Sequence, residues 1–124
     1  MKVLFLALAV MVLAAVLVWT GNWYIEKVCR DLTSLVDTIP EQMGATAAFG
    51  GNYRKFEERW KSAEIWIQIL VGHAETDKVT ELAAEMAVRY LANDTAGYKA
   101  GKEQLRMQLQ KIREGEEISA DNIL

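Results

Sequence analysis

Hydrophobic and polar positions divide the chain into one long apolar run followed by helical stripes. From Val3 to Trp19 no side chain is charged or strongly polar, and the uncharged run continues to Ile25. As a helix, Val3–Ile25 would be roughly 34 Å long at about 1.5 Å per residue. That length is enough to cross a hydrocarbon core of about 30 Å. The pattern therefore predicts a transmembrane helix within residues 1–25.

A cleaved secretory signal is the alternative to an anchor, because Lys2 supplies the basic start that both interpretations need. A signal peptide has an apolar core of about 7–15 residues and small residues before its cleavage site. Here the apolar core is longer, and Trp19, Trp23 and Tyr24 stand where small residues would be needed. Aromatic rings of this kind favour the membrane–water interface. We therefore favour an uncleaved, single-pass anchor in the cell membrane.

The basic residues that flank the apolar run bear on the orientation of this anchor. Lys2 precedes the run, whereas Lys27 and Arg30 follow it, so the two sides nearly balance. A one-residue basic tail before an anchor usually stays inside the cell. We therefore expect the C-terminal domain to lie outside the cytoplasm.

The rest of the chain repeats apolar residues at three- and four-residue steps, as amphipathic helices do. The first stripe continues straight out of the anchor to Pro40, where we expect the helix to kink or end because proline disfavours helix at the residue before it. Gly50 and Gly51 then indicate the connection, and Asn52 is a suitable cap for the second helix. The core-facing residues predicted for these two helices are Ile25, Val28, Cys29, Leu32, Leu35, Val36 and Ile39, then Tyr53, Phe56, Trp60, Ala63, Ile67 and Leu70.

Two further helices follow, from about Thr76 to Leu91 and from about Thr95 to Arg113, with Gly115 after the last. Short connections predict that neighbouring helices are antiparallel. Their predicted core-facing residues are Val79, Leu82, Ala83, Met86 and Tyr90, then Tyr98, Leu105, Leu109 and Ile112.

The sequence therefore predicts an all-α fold, in which an N-terminal transmembrane helix continues into a small antiparallel up-and-down helical bundle. No run alternates apolar and polar residues over the length of a strand. With 124 residues the chain has room for one domain besides the anchor. We assign residues 1–25 to the transmembrane anchor and residues 26–124 to an extracytoplasmic helical bundle domain.

The end of the second helix, Ile65–Val71, is apolar nearly all round. Ile65 and Ile69 point away from the stripe that contains Trp60, and Trp66 lies at its edge. A helix that is apolar on all sides is normally buried on all sides, so we expect this helix to be central in the bundle. The alternative is that Ile65 and Ile69 are left for a partner or for the membrane surface.

A family resemblance rests on Trp60 and Trp66, the string His73–Asp77 and the ending Ser119–Leu124. These features resemble the domain of unknown function 4363, a family of short bacterial proteins. Its members begin with a membrane anchor, carry paired tryptophans before an His-x-Glu-x-Asp-like turn, and close on Asn-Ile and an apolar residue. The resemblance spans nearly the whole chain, anchor included, although the stretch 40–52 departs from the pattern. It implies an anchored helical protein and no established activity.

Composition excludes several classes of function. The chain has 14 basic and 17 acidic side chains, which argues against a nucleic-acid partner because such a partner requires a basic face. Its one cysteine, Cys29, lies on the apolar stripe and is expected to be a buried small hydrophobe. No serine lies in a recognisable nucleophile turn. We therefore predict that the protein is not an enzyme.

Two classes of function remain. The first is a membrane-anchored interaction or structural module of the bacterial cell envelope, which contacts the lipid bilayer and binds another envelope protein or its own copy. Its candidate surface consists of the apolar residues Ile65, Ile69, Ile118, Ile123 and Leu124.

The second class is a metal-binding or metal-sensing envelope protein that uses His73, Glu75 and Asp77, which have the side-chain types of metal ligands. One histidine and two carboxylates are an incomplete set for structural zinc. Glu75 and Asp77 also suit the start of the third helix, where negative charge is stabilising. We therefore expect no metal and no cofactor, and we favour the first class.

Overall fold

The protein folds as four α-helices in this computed structural model, which describes residues 1–123 and the side chains of residues 1–115. The helices are α1 (Lys2–Thr38), α2 (Thr46–Val71), α3 (His73–Leu91) and α4 (Thr95–Ile123). Each helix packs against its neighbours in sequence, and α4 packs back against α1, which closes the bundle. No strand occurs among the described residues. The predicted all-α bundle is confirmed.

Helix α1 is one uninterrupted helix whose two halves have different surroundings. Residues 2–20 are exposed, whereas from Ile25 onwards the apolar stripe is buried against the other helices. The helix ends at Thr38, and Ile39 adopts extended backbone (φ −70°, ψ 126°) ahead of Pro40. Proline disfavours the helical conformation at the residue before it, which explains why α1 stops at this position.

Helices α1 and α2 run antiparallel, and contacts along their length define their register. The Asn52 side-chain amide donates a hydrogen bond to the Thr38 carbonyl over 2.8 Å. Further along, Arg59 pairs with Asp31 at 3.5 Å. These contacts place the beginning of α2 beside the end of α1, so the C-terminal end of α2 lies beside the part of α1 that leaves the bundle.

Helix α4 runs down the other side of α1. Lys102 donates from Nζ to the Ile39 carbonyl over 2.7 Å, and Arg113 lies 3.5 Å from Glu26. Gly101 packs closely on α3, since a Cβ atom there would lie 3.6 Å from the Met86 Cα atom. The ends of α2 and α4 and the start of α3 therefore share the end of the bundle nearest the exposed half of α1.

Three predicted boundaries are wrong. Gly50 and Gly51 lie inside α2 instead of marking a connection, and Asn52 is an internal residue instead of a cap. The chain turns earlier, at Gly44 (φ 96°). A helix-interior glycine costs about 1 kcal/mol relative to alanine, but the first turn of α2 is held by Phe49, which is buried against the rest of the core.

The third helix also begins earlier than predicted, at His73, because Gly72 (φ 110°) alone makes the turn from α2. Gly115 does not end α4, which continues to Ile123. A single glycine in a helix weakens it without breaking the backbone hydrogen-bond series.

The predicted core is buried with few exceptions. Leu35 and Tyr53 are half-buried, and Leu70 is exposed. The expectation that α2 is central is wrong, because Ile65 and Ile69 are 67% and 70% exposed. In a closed ring of four helices every helix keeps one outward face, and the second apolar face of α2 is that outward face.

Candidate functional site

The turn between α2 and α3 contains two of the predicted metal-ligand candidates in separate surroundings. His73 is the first residue of α3, and its ring lies against the side-chain amide of Gln68. Glu75 points towards α4, where its carboxylate accepts a hydrogen bond from Gln108 Nε2 over 2.7 Å and lies 3.5 Å from Lys111 Nζ. The histidine therefore contacts the preceding helix, whereas the carboxylate is held by a different helix.

Asp77, the third candidate, is exposed on α3. Between Glu75 and Asp77 lies Thr76, which is fully buried and donates from Oγ1 to the carbonyls of Gly72 and His73 at 3.1 and 3.0 Å. Across the part of the chain whose side chains are described, no three histidine, cysteine, aspartate or glutamate side chains are grouped so that they could hold a metal ion. The structure thus does not bring the three candidates together as a ligand set.

Polar side chains that the sequence did not single out, those of Thr80 and Gln108, make contacts between helices. Trp60 donates from Nε1 to Thr80 Oγ1 over 3.0 Å, and Gln108 is buried where it contacts Glu75. The only sequence signal for Thr76 was its place one step before Val79 on the apolar stripe of α3. These contacts connect three helices, so the region around the turn is a structural junction.

Cys29 is almost fully buried on α1, as predicted. Burial raises the pKa of its thiol to about 11, while the nearby Arg113 guanidinium acts in the opposite direction. A thiol with a raised pKa is a poor nucleophile at neutral pH, because the thiolate is the reactive form. This arrangement does not suit redox or acylation chemistry.

A cleft of about 440 Å³ lies at the opposite end of the bundle, between the end of α1 and α4. The Tyr98 hydroxyl donates to the Pro40 carbonyl, and burial raises the pKa of this phenol to about 12. Lys102, which is buried, is occupied by the Ile39 carbonyl. The charged lining is balanced in sign and consists of Asp37, Glu41, Lys99, Lys102, Glu103 and Arg106. The polar groups at this cleft therefore mainly hold the end of α1 in place.

Outside α1, the exposed large apolar side chains of the described residues are concentrated at the end of α2. Together they lie at positions i, i+1, i+4 and i+5 of the helix and so share one side of it. We call this surface the α2 patch, and it consists of Ile65, Trp66, Ile69 and Leu70. Of the candidate interaction surface predicted from the sequence, Ile65 and Ile69 belong to the patch, whereas Ile118, Ile123 and Leu124 lie outside the described side chains.

Comparison with known families gives a single finding. The family model described as Domain of unknown function (DUF4363) matches residues 19–123. The chain belongs to this family. The DUF4363 match includes the stretch 40–52, which departs from the expected pattern, and it begins near the end of the apolar run. No curated protein and no solved structure matches the chain.

The residues that carry the DUF4363 resemblance have distinct structural roles in this member. Trp60 is a core residue with a hydrogen-bonded indole, whereas Trp66 is exposed on the α2 patch. His73 begins the helix that follows the one-residue turn at Gly72. Of these three, only Trp66 has a large apolar surface that is exposed among the described side chains.

Proposed function

We propose that this DUF4363 protein is a membrane-anchored interaction or structural module of the bacterial cell envelope, without catalytic activity. The observation that supports the proposal best is the division of α1 into an exposed apolar half and a buried half. Its most apolar part is wholly exposed, and the helix is long and apolar enough to cross a membrane. Soluble monomers rarely expose apolar patches larger than a few hundred Å². A bilayer covers such a surface, and the continuous helix then holds the bundle directly above it.

The surroundings of the reactive side chains support a non-catalytic role. The thiol of Cys29 is buried, and the carboxylate of Glu75 is held by Gln108. The balanced cleft beside Pro40 presents charges of both signs and a lysine that is occupied by a backbone carbonyl. None of these arrangements provides a nucleophile beside a base, which nucleophilic catalysis by side chains requires.

Membrane retention tests the anchor. We expect the full-length protein to stay with bacterial membranes after washing in high salt and in alkaline carbonate, because apolar burial is not screened by salt. Val12→Arg should weaken retention, since an arginine at the centre of a span costs about 2.5–3.5 kcal/mol. The matched control is Leu91→Arg, which changes an exposed leucine on the bundle. Recovery of a shortened chain in the soluble fraction would show that the apolar run is a cleaved signal.

Labelling of intact cells tests the proposed orientation. Lys99→Cys places a thiol on an exposed position of α4, and the buried Cys29 leaves a low background. A membrane-impermeant maleimide should label this variant in intact cells if the bundle lies outside the cytoplasm. Labelling only after lysis would reverse the proposed orientation.

Cross-linking in intact membranes tests the interaction role. A species at twice the mass of the chain would identify its own copy as the partner. A larger adduct of other mass would identify another envelope protein. If the protein remains entirely monomeric at its natural abundance, the proposal of an interaction module is wrong and a purely structural anchor remains.

A further inference from the structure

The α2 patch lies at the level where α1 leaves the bundle. Arg59 of α2 pairs with Asp31 at 3.5 Å, and eleven residues later Leu70 packs on Gly21. A Cβ atom at Gly21 would lie 3.2 Å from Leu70 Cδ2. Because α1 and α2 are antiparallel, Trp66 lies between these two contacts and therefore opposite the last turns of the apolar run.

The same level of α1 has the features of a membrane–water boundary. Trp19 and Trp23 are 74% and 58% exposed there. Lys27 Nζ lies 5.1 Å from the centre of the Trp23 ring, as expected for a cation–π contact. Tryptophans are enriched at the headgroup level of bilayers. Trp66 would thus add a ring from a second helix to this aromatic belt.

We propose that the α2 patch is inserted into the interfacial region of the lipid bilayer, so that the bundle rests on the membrane through the end of α2. This inference rests on the proposed membrane anchoring of α1. The occupant of the patch is the boundary between lipid headgroups and acyl chains. The surface next to it on α1 continues directly into the apolar run, so one lipid surface covers both.

The size of the patch favours lipid over a second copy of the chain. Its four side chains expose on the order of 500 Å², so a second copy, which needs about 800 Å² on each partner for a stable interface, would also have to bury polar surface around the patch. Interfacial insertion has no such threshold, because binding to the bilayer scales with the apolar area that is buried. The patch therefore suits a site that adds to an existing anchor.

Quenching of tryptophan fluorescence by brominated lipids tests this inference. The full chain with Trp19→Phe and Trp23→Phe is reconstituted in phosphatidylcholine vesicles whose acyl chains are brominated close to the headgroup. Of the two remaining tryptophans, Trp60 is buried and Trp66 is exposed. The emission of Trp66 is the difference between the chains without and with Trp66→Phe. We expect brominated lipid to quench most of this emission and to leave the emission of Trp60 unchanged.

A matched control places a tryptophan at the other end of α3. In the chain with Trp19→Phe, Trp23→Phe and Trp66→Phe, Leu91→Trp places a tryptophan ring at a position that is 72% exposed. Aqueous acrylamide should quench this ring, and brominated lipid should not.

Two results for Trp66 would overturn the inference. The first is quenching by acrylamide without quenching by bromine. The second is protection from both quenchers, as a second copy or another protein would provide. If the chain is retained after an alkaline wash and either result is obtained, only this inference fails. If the chain is washed off the vesicles, the proposed anchoring fails as well.

Discussion

The tryptophans Trp60 and Trp66 should respond very differently to truncation, although both lie on α2. Trp60 is 3% exposed, and its indole N–H is hydrogen-bonded to Thr80. Trp66 is 60% exposed. The comparison of Trp60→Ala with Trp66→Ala therefore tests whether the packing of this helix is correctly described, within one helix and with one residue type.

The expected magnitudes follow from burial. Truncation of a buried tryptophan to alanine costs about 3–5 kcal/mol, because apolar contacts are lost and a cavity remains. The hydroxyl of Thr80 is on an exposed residue and can turn to water, so its lost partner adds little. A domain has about 5–15 kcal/mol of stability in total. Trp60→Ala should thus remove a large part of it, whereas Trp66→Ala should stay within about 0.5 kcal/mol of the parent.

Urea unfolding of the full chain in detergent micelles, followed by far-ultraviolet circular dichroism, measures both changes. With a slope of about 1–3 kcal/mol per molar urea, the loss at Trp60 should lower the midpoint by at least about 1 M. Trp60→Phe, which keeps an aromatic ring, should fall between the parent and Trp60→Ala. Equal midpoints for the two alanine variants, or a larger loss at Trp66, would refute the described packing of α2.

Three further predictions concern single side chains. Tyr98→Phe should lower the free energy of unfolding by about 1 kcal/mol, because the Pro40 carbonyl loses its hydrogen-bond donor. Tyr90→Phe should not lower it, since the buried Tyr90 hydroxyl has no hydrogen-bond partner within the described part of the chain. Urea midpoints of the two variants test this difference. Burial raises the pKa of Cys29 from 9.0 to about 11, so the folded state holds this proton more tightly than the unfolded state. Its contribution to stability should be complete below pH 9 and decline as the pH rises from 9 towards 11, and Cys29→Ala should flatten that part of a stability–pH curve. His73→Gln should lower stability slightly and leave the metal content of the purified protein at background by mass spectrometry, whereas zinc or iron present in the parent and lost in this variant would favour the metal-binding function.

Local signals in the sequence predicted those parts of the fold that depend on neighbouring residues. The end of α1 follows from Pro40, whose effect acts on the residue before it. Gly50 and Gly51 were wrongly predicted to mark a connection, because the start of α2 is stabilised by a contact with a residue that is distant in sequence. Phe49 stacks on Tyr90 with 3.8 Å between the ring centres, and the two residues lie on different helices. Helix propensity is a weak signal that tertiary packing of this kind overrides.

The surroundings of the candidate sites could not be predicted from the sequence, because they depend on how the helices pack against one another. Periodicity showed that Ile65 and Ile69 form a second apolar face, but only the number and order of packed helices determines whether such a face is covered. The spacing of His73, Glu75 and Asp77 was likewise compatible with convergence or with separation. The structure separates them because α4 supplies partners for Glu75 that lie far away in the sequence.

Because α1 is one unbroken helix, its apolar half and the bundle move together as a rigid body. The helix has 37 residues and is therefore about 55 Å long at 1.5 Å per residue. No flexible joint separates its apolar half from the half that is packed in the bundle. If the apolar half spans a membrane as proposed, a tilt of about 10° to match a thinner bilayer would displace the far end of α1 sideways by about 10 Å. The thickness of the surrounding membrane would thus be converted into a lateral position of the bundle.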